Sequence, residues 1–463
     1  MRWNNDRGGR CILATVLLAA AWVAPGAAWA VQPGPRPNII FILVDDVGMG
    51  WYSCYGSSHQ TPNIDRLAAQ GVRFENAWCA PMCTPSRMEF LTGQYPFRSG
   101  WTVHYDVPRW GGAGFDPARY TSVARVMRQA GYATAIAGKW QLNDLRTDTT
   151  IMNKHGFDQY CLWTGVETGN PDSSRRYWNP YLEINGRRNP HPDQYGPDII
   201  QKFALEFIRN HRDKPFFLYY PMLLAHAPLE PVPGPDGRPR ANLERQGLMA
   251  DTISYIDRQI GELTALLDSL GLSKNTVVVF TGDNGTAGDG GTRNGKPLPG
   301  VKGKVSDLGV HVPFIVRAPM VVNKPLVSSA LIDFTDLFPT CVELAGTTLP
   351  AGVTFDGRSL VPVLSGAAVQ GKPWLVSQLG KQRIVRDERW LLHVTRGRFF
   401  DLLNDPLEQQ DLQQSKDPEV VAARQRLAGI MAALPDDAPS PFAGYEQGGK
   451  KKNKSKKATA TPK

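Results

Sequence analysis

The sequence predicts an α/β fold: a large, mostly parallel sheet flanked by helices, with a smaller C-terminal α+β subdomain carrying a short antiparallel sheet. Three observations carry this reading. Apolar, β-branched runs without alternation recur, as in strands buried on both faces. Helical segments alternate with them over roughly 300 residues, the pattern of a parallel sheet with crossover helices. Beyond about residue 345 the texture changes to short strand-like pieces and one terminal helix.

In order, Asn38–Val44 follows a proline-rich stretch (Pro33, Pro35, Pro37) and reads as the first buried strand. Thr61-Pro62 opens a helix as cap and first-turn proline, and Gly71 ends it. Further helices fit residues 121–129, 198–210 and 249–270, and further strands fit 133–137, 216–220, 276–280 and 312–316. In the last quarter, 382–385, 390–394 and 399–402 read as strands, and 418–434 as a helix stopped by Pro435.

The two ends differ from the body. Residues 1–30 read as a signal peptide: Arg2, Arg7 and Arg10 precede an apolar run, and Ala28-Trp29-Ala30 supplies the cleavage pattern. The run is too short to span a bilayer. Export to the periplasm or medium, with cleavage near Ala30, is therefore expected. Residues 441–463 form a basic tail with seven lysines in 448–463, expected to be disordered and solvated. Residues 31–345 are then the main domain and 346–440 the C-terminal subdomain. The formal charge of +9 sits almost entirely in the two ends. The body is near neutral, which argues against a nucleic-acid partner. Of six cysteines, Cys11 leaves with the leader. The remaining Cys54, Cys79, Cys83, Cys161 and Cys341 are odd in number, so in an oxidising compartment at least one is unpaired or special.

In open α/β sheets, ligands bind beyond the carboxyl ends of the strands. The first strand here ends in Asp45-Asp46, and the strand at 133–137 leads into Gly138-Lys139-Trp140-Gln141. The strand at 216–220 is followed by His226, and that at 276–280 by Gly282-Asp283-Asn284-Gly285. Any one of these is an ordinary cap or turn; four together point to one edge bearing a site. Asp45, Asp46, Asp283 and Asn284 offer only oxygen donors, which favours a hard cation, Ca²⁺ or Mg²⁺, over zinc. Adjacent buried carboxylates repel without one.

The segment Cys83-Thr84-Pro85-Ser86-Arg87, followed by Leu91-Thr92-Gly93, resembles the signature of the formylglycine-dependent type I sulfatases, arylsulfatase-like enzymes of the alkaline phosphatase superfamily. Pro37 to Asp46, Thr61 to Ala68, Gly138-Lys139-Trp140, His226-Ala227-Pro228, Gly282 to Gly285, Lys302-Gly303 with Asp307, Gly309, Val312 and Pro313, then 333–346 and 401–406, resemble family segments in family order. The resemblance spans roughly residues 36–412. It implies a sulfuric ester hydrolase in which a maturing enzyme oxidises Cys83 to formylglycine. The hydrated aldehyde attacks sulfur through one hydroxyl, the alcohol leaves, and the second hydroxyl collapses to expel sulfate. Pro85 suits a first helical turn, which puts Cys83 at a helix N-terminus that favours anions, with Arg87 on the same face.

Carried over by residue, the resemblance gives Asp45, Asp46, Asp283 and Asn284 as metal ligands. It gives Lys139 and Lys302 as sulfate contacts, Arg87 as the holder of the formylglycine and its charge, and His226 as general acid. The substrate class implied is a sulfated glycan or small molecule, a carbohydrate sulfate ahead of an aryl sulfate. The chain departs from the family at Gln141, where the family has a histidine that bonds the hydrated aldehyde and aids its deprotonation. Glutamine can bond but cannot take that proton, so a positioning role is expected. It departs again at Asp307-Leu308, where Glu-Gly is common, a position that reads as structural. Two alternatives remain: a phosphodiesterase or phosphonate-ester hydrolase of the same superfamily, and a catalytically weak protein that binds sulfated glycans. Trp101, His104, Tyr105, Trp110 and the region 177–195 suit a sugar pocket or the core equally.

Overall fold

The first strand, β1 (Asn38–Val44), sends alternate side chains into two separate cores. Ile39, Phe41 and Leu43 fill one; Ile40, Ile42 and Val44 fill the other. This is why the run shows no alternation: both faces of the strand are dry. Each such side chain contributes about 1.5–3 kcal/mol on burial. The protein is described here by a computed structural model covering residues 36–240, 245–367 and 371–444. The expected signal peptide, and the basic tail from residue 445 onward, lie outside the described residues.

The other strands of the main sheet are β2 (Val72–Trp78), β3 (Ala133–Lys139), β4 (Gln159–Trp163), β5 (Tyr181–Ile184), β6 (Arg187–Pro190), β7 (Phe216–Pro221) and β8 (Thr276–Gly282). After a hairpin of β9 (Asp289–Arg293) and β10 (Lys296–Pro299), β11 (Phe314–Arg317) and β12 (Leu326–Asp333) complete it. The sheet has ten strands in the order β12-β2-β11-β8-β1-β7-β3-β4-β5-β6. Neighbours β8, β1, β7, β3 and β4 run parallel. β11 runs against both of its neighbours, as does β5. The four strands expected to deliver polar residues are thus contiguous and co-directional. Val44 pairs with Gly282 and Leu43 with Pro221, so their carboxyl ends open side by side.

Local chemistry differs from expectation in two places. Thr61 precedes the helix Pro62–Ala69, but its hydroxyl does not cap it. It accepts from Ser53 N–H, and Asp257 caps the helix instead, accepting from the N–H groups of Asn63 and Ile64. The strand expected at 312–316 begins only at Phe314 and is antiparallel, whereas the parallel strand β2 had no counterpart in the sequence reading.

A four-stranded antiparallel sheet follows: β13 (Leu375–Leu379), β14 (Gln382–Arg386), β15 (Trp390–His393) and β16 (Arg398–Asp401). The helix Pro418–Ala432 covers one face through Val420, Ala423, Leu427 and Met431. The other face packs Leu375, Ile384, Leu391 and Phe400 against Trp78 and Val305. Asp307 fastens this junction: its buried carboxylate accepts from Trp78 Nε1, Arg386 Nη1 and His311 Nδ1, each at 3.0 Å. Asp307→Ala is expected to lower unfolding free energy by about 3–5 kcal/mol, because it strands the Arg386 guanidinium in the interior. A shift in denaturant midpoint at unchanged m-value, with activity per folded molecule retained, is the measurement that checks it. Among the described residues no disulfide joins Cys54, Cys79, Cys83, Cys161 and Cys341, and no helix is long and apolar enough to cross a membrane.

Candidate active site

The site begins where β1 stops. Asp45 and Asp46 are fully buried, and Asp46 turns the chain with a left-handed backbone (φ 65°). Neighbouring loops are stitched to this turn. Asp46 N–H donates to Asp283 Oδ1 (3.0 Å), Asp45 N–H to Leu224 O (2.9 Å), and Ala225 N–H to Asp45 O (2.9 Å). The carboxylates therefore cannot swing away from the ends of β7 and β8.

Cys83 is the first residue of the helix Cys83–Thr92, as the Pro85 position predicts, and every residue of that helix is buried. Phe90 meets Phe41 of β1 with ring centroids 4.0 Å apart, which locks the helix onto the sheet. The helix ends at Gly93, whose left-handed backbone (φ 66°) and contact with Phe338 and Phe355 exclude a side chain. Cys83 Sγ lies 3.6 Å from Asp45 Oδ1 and 3.8 Å from Asp46 Oδ1. One turn on, Arg87 donates to Asp283 Oδ2 (2.8 Å) and stands 3.6 Å from Asp45 Oδ1. Burial pushes the Cys83 thiol well above its ordinary range, so the unmodified thiol is a poor nucleophile here.

Lys139 arrives on β3 through Gly138, where a Cβ would sit 1.7 Å from Pro221 O. Its ammonium meets Asp45 Oδ2 at 2.7 Å. Lys302 meets Asp46 Oδ2 at 2.6 Å and His226 Nε2 at 3.1 Å. The His226 ring is 3.7 Å from Asp46 Oδ2 and keeps 26% of its side-chain surface exposed, so this flank is open to a ligand. Burial alone would raise Asp45, but Lys139, His226, Arg87 and Lys302 together hold it well below the usual carboxylate range. Asp283 moves oppositely: burial, then the negative charge of Asp45, pushes it up to about 7. Burial and the Lys139 charge push His226 down to about 4 against the pull of Asp45 and Asp46.

The donor set fits a hard cation. Asn284 donates Nδ2 to Asp46 Oδ1 at 2.9 Å, while its buried Oδ1 has no partner among the described residues. An orphaned carbonyl oxygen beside three carboxylates is what an oxygen-liganded ion would satisfy. Asp45, Asp46, Cys83 and His226 also present ligand atoms within 4.8 Å of one another. The charges of Arg87, Lys139 and Lys302 balance those of the three aspartates. A divalent ion would tip the site positive, as an anionic ester requires.

Gln141 is buried with a left-handed backbone (φ 64°), and its side chain lies close enough to the Asp106 carboxyl to act against the rise that burial imposes there. Burial pushes that carboxyl up to about 7. Of the aromatic residues left open by sequence, Trp101 and Tyr105 belong to the core, packed against Phe442. His104 lies beside the site: its Nδ1 is 3.3 Å from Thr84 Oγ1, the residue after Cys83. Arg176, which no motif marks, reaches His226. A cleft of about 650 Å³ flanks His226, lined by Ala225, Ala227, Pro228, Leu229 and Met249.

A buried cysteine at a helix N-terminus, clustered oxygen donors and two lysines meet at the carboxyl edge of this sheet, an arrangement suited to the hydrolases of anionic esters in the alkaline phosphatase superfamily. The chain belongs to the sulfatase family: the family model described as Sulfatase matches residues 37–347. Steryl-sulfatase of Mus musculus is 31% identical, covering 77% of this chain and 68% of that protein. N-acetylgalactosamine-6-O-sulfatase of Bacteroides thetaiotaomicron is 32% identical, covering 75% of this chain and 80% of that one. A solved 6S-sulfatase from glycosaminoglycan metabolism in Bacteroides thetaiotaomicron superposes with TM-score 0.70 at 27% identity, over 86% of this chain and 100% of that one. The protein is a sulfuric ester hydrolase.

Proposed function

We propose that this enzyme removes sulfate from a sulfated carbohydrate, using formylglycine made from Cys83 and one divalent cation, Ca²⁺ ahead of Mg²⁺. The observation that supports this most is the position of Cys83 Sγ, 3.6 and 3.8 Å from two buried carboxylates and at the start of a buried helix. Asp45, Asp46, Asp283 and Asn284 would hold the ion. When bound, the ion supplies positive charge for the ester and acidity for the attacking oxygen, and formylglycine supplies that oxygen.

The chain's own side chains have the remaining tasks. Lys139 and Lys302 leave their carboxylate partners to bind sulfate oxygens as point charges. Arg87 stays on Asp283 and holds the nucleophile's surroundings positive. His226 Nε2, on the open flank, protonates the leaving oxygen. Sulfate bound over the two lysines offsets the positive charge that opposes imidazolium formation at His226. Gln141 positions without exchanging a proton. The leader supports export to the periplasm or medium and maturation by a formylglycine-generating or sulfatase-maturing enzyme.

The relatives named above support two leaving-group classes, a hexosamine and a sterol. The mostly aliphatic cleft beside His226 favours an apolar leaving group as the second reading. A panel of sulfated monosaccharides and glycan oligomers, assayed beside aryl and steryl sulfates and a phosphodiester, separates the readings. The proposal expects kcat/KM for at least one sugar sulfate to exceed that of the aryl and steryl esters by about 10²-fold, a margin of roughly 3 kcal/mol. Faster release from the apolar sulfates favours the second reading, and faster hydrolysis of the phosphodiester overturns both.

A further inference from the structure

Arg176 is a buried cation with no carboxylate at ion-pair distance among the described residues. It is 9% exposed, makes no ion pair among the described residues, and leaves its Nε unpartnered. Its guanidinium lies over the rings of Trp163 (5.0 Å to the centroid) and Tyr177 (5.3 Å). Burying a charge away from any counter-ion is costly, and π faces recover only part of that cost. What the guanidinium does reach is the segment that carries His226. Nη2 donates to His226 O at 3.2 Å and to Ala227 O, and it lies 3.0 Å from His226 Nδ1. Tyr177 OH donates to His226 O (2.7 Å) and Leu223 O (3.0 Å) from the adjoining position.

From this geometry we infer that Arg176 is a positioning residue for His226. It pins the Ala227 carbonyl where that oxygen accepts the Nδ1 proton of the His226 ring, so that only Nε2 faces the reaction. Nδ1 lies 2.6 Å from Ala227 O, and Nε2 lies 3.1 Å from the Lys302 ammonium, a donor. These two contacts agree with one arrangement, proton on Nδ1 and lone pair on Nε2; Arg176 Nη2 also lies 3.0 Å from Nδ1, but its two protons go to the His226 and Ala227 carbonyls, so it offers Nδ1 none. The ring is therefore held in one orientation, with Nε2 as the atom presented to the leaving oxygen. A lysine at position 176 would keep the charge but lacks the planar fork that lies flat on two rings while bonding two carbonyls. The inference rests on the proposed role of His226 as acid to the leaving oxygen.

The test compares wild type with Arg176→Lys and Arg176→Gln, as matured, cation-loaded enzyme, on two esters. A nitrophenyl sulfate leaves as a stabilised anion and needs little protonation; a sugar sulfate leaves as an alkoxide and needs a proton. Both variants are expected to lose about 30- to 100-fold in kcat on the sugar sulfate, with KM within about 3-fold, and less than about 3-fold in kcat on the nitrophenyl ester. Equal losses on both esters from folded variants overturn the inference. A second readout does not depend on turnover. In an imidazole ¹⁵N–¹H correlation spectrum, His226 of the wild type is expected to show a protected proton on Nδ1 that disappears or exchanges rapidly in both variants. Persistence of that signal in the variants overturns the inference. If no sulfate ester is hydrolysed by any form, the sulfate-ester reading fails by itself, and the imidazole spectrum still decides the role of Arg176.

Discussion

Cys83→Ala is expected to abolish sulfate release, with a loss on the order of 10⁵-fold or more, the scale seen when a nucleophile that acts as one unit with its neighbours is removed. The side chain is fully buried and its thiol is held protonated, so the native cysteine has no nucleophilic capacity to lose. The loss therefore measures the modified side chain. Cys83→Ser sharpens the point. A serine hydroxyl in the same place could accept one sulfuryl group but has no second hydroxyl with which to expel it. A single stoichiometric burst of released alcohol, followed by no turnover, is the expected result. Peptide mass spectrometry of the protein from its own host should find an aldehyde at position 83. A free thiol there, with tight binding of sulfated glycans and no hydrolysis, would favour the binding-protein alternative.

The second large effect concerns the ion. Stripping it with a chelator is expected to cost at least about 10³-fold in turnover, restored by Ca²⁺ ahead of Mg²⁺. The site accounts for the direction: burial and the Asp45 charge push the Asp283 carboxyl up, and Asn284 Oδ1 has no partner among the described residues, both of which a bound cation would relieve. Stability should follow the same ion. At a free concentration about a hundredfold above Kd, Ca²⁺ is expected to add about 2.7 kcal/mol to the unfolding free energy. Asp283→Ala should remove that increment, read as the difference in melting with and without Ca²⁺, whatever the variant's own starting stability. An increment that survives in Asp283→Ala would place the ion elsewhere.

The buried strands, the helix starting at Cys83 and the oxygen-rich ends of β1 and β8 were legible in the chain. Each depends on chemistry between near neighbours: apolar residues on both faces of Asn38–Val44, Pro85 in a first helical turn, Asp-Asp and Asp-Asn closing apolar runs. The resemblance around Cys83 added roles that composition could not supply. The edge strand pair β2 and β12 was not legible. Val72–Trp78 carries Arg73, Glu75 and Asn76 on a partly wet strand, which breaks the run that marks a buried one.

What the fold alone decided is adjacency. Nothing local places β8, β1, β7 and β3 side by side, or brings Lys302 from a distant loop onto Asp46 and His226. Nor does anything local reveal that Gln141 lies beside Asp106, or that Arg176 holds the carbonyl beside His226. These are contacts between segments far apart in the chain, selected by which surfaces exclude water together. Sequence patterns record a residue's preference for being buried or capped, but not the partner it meets there.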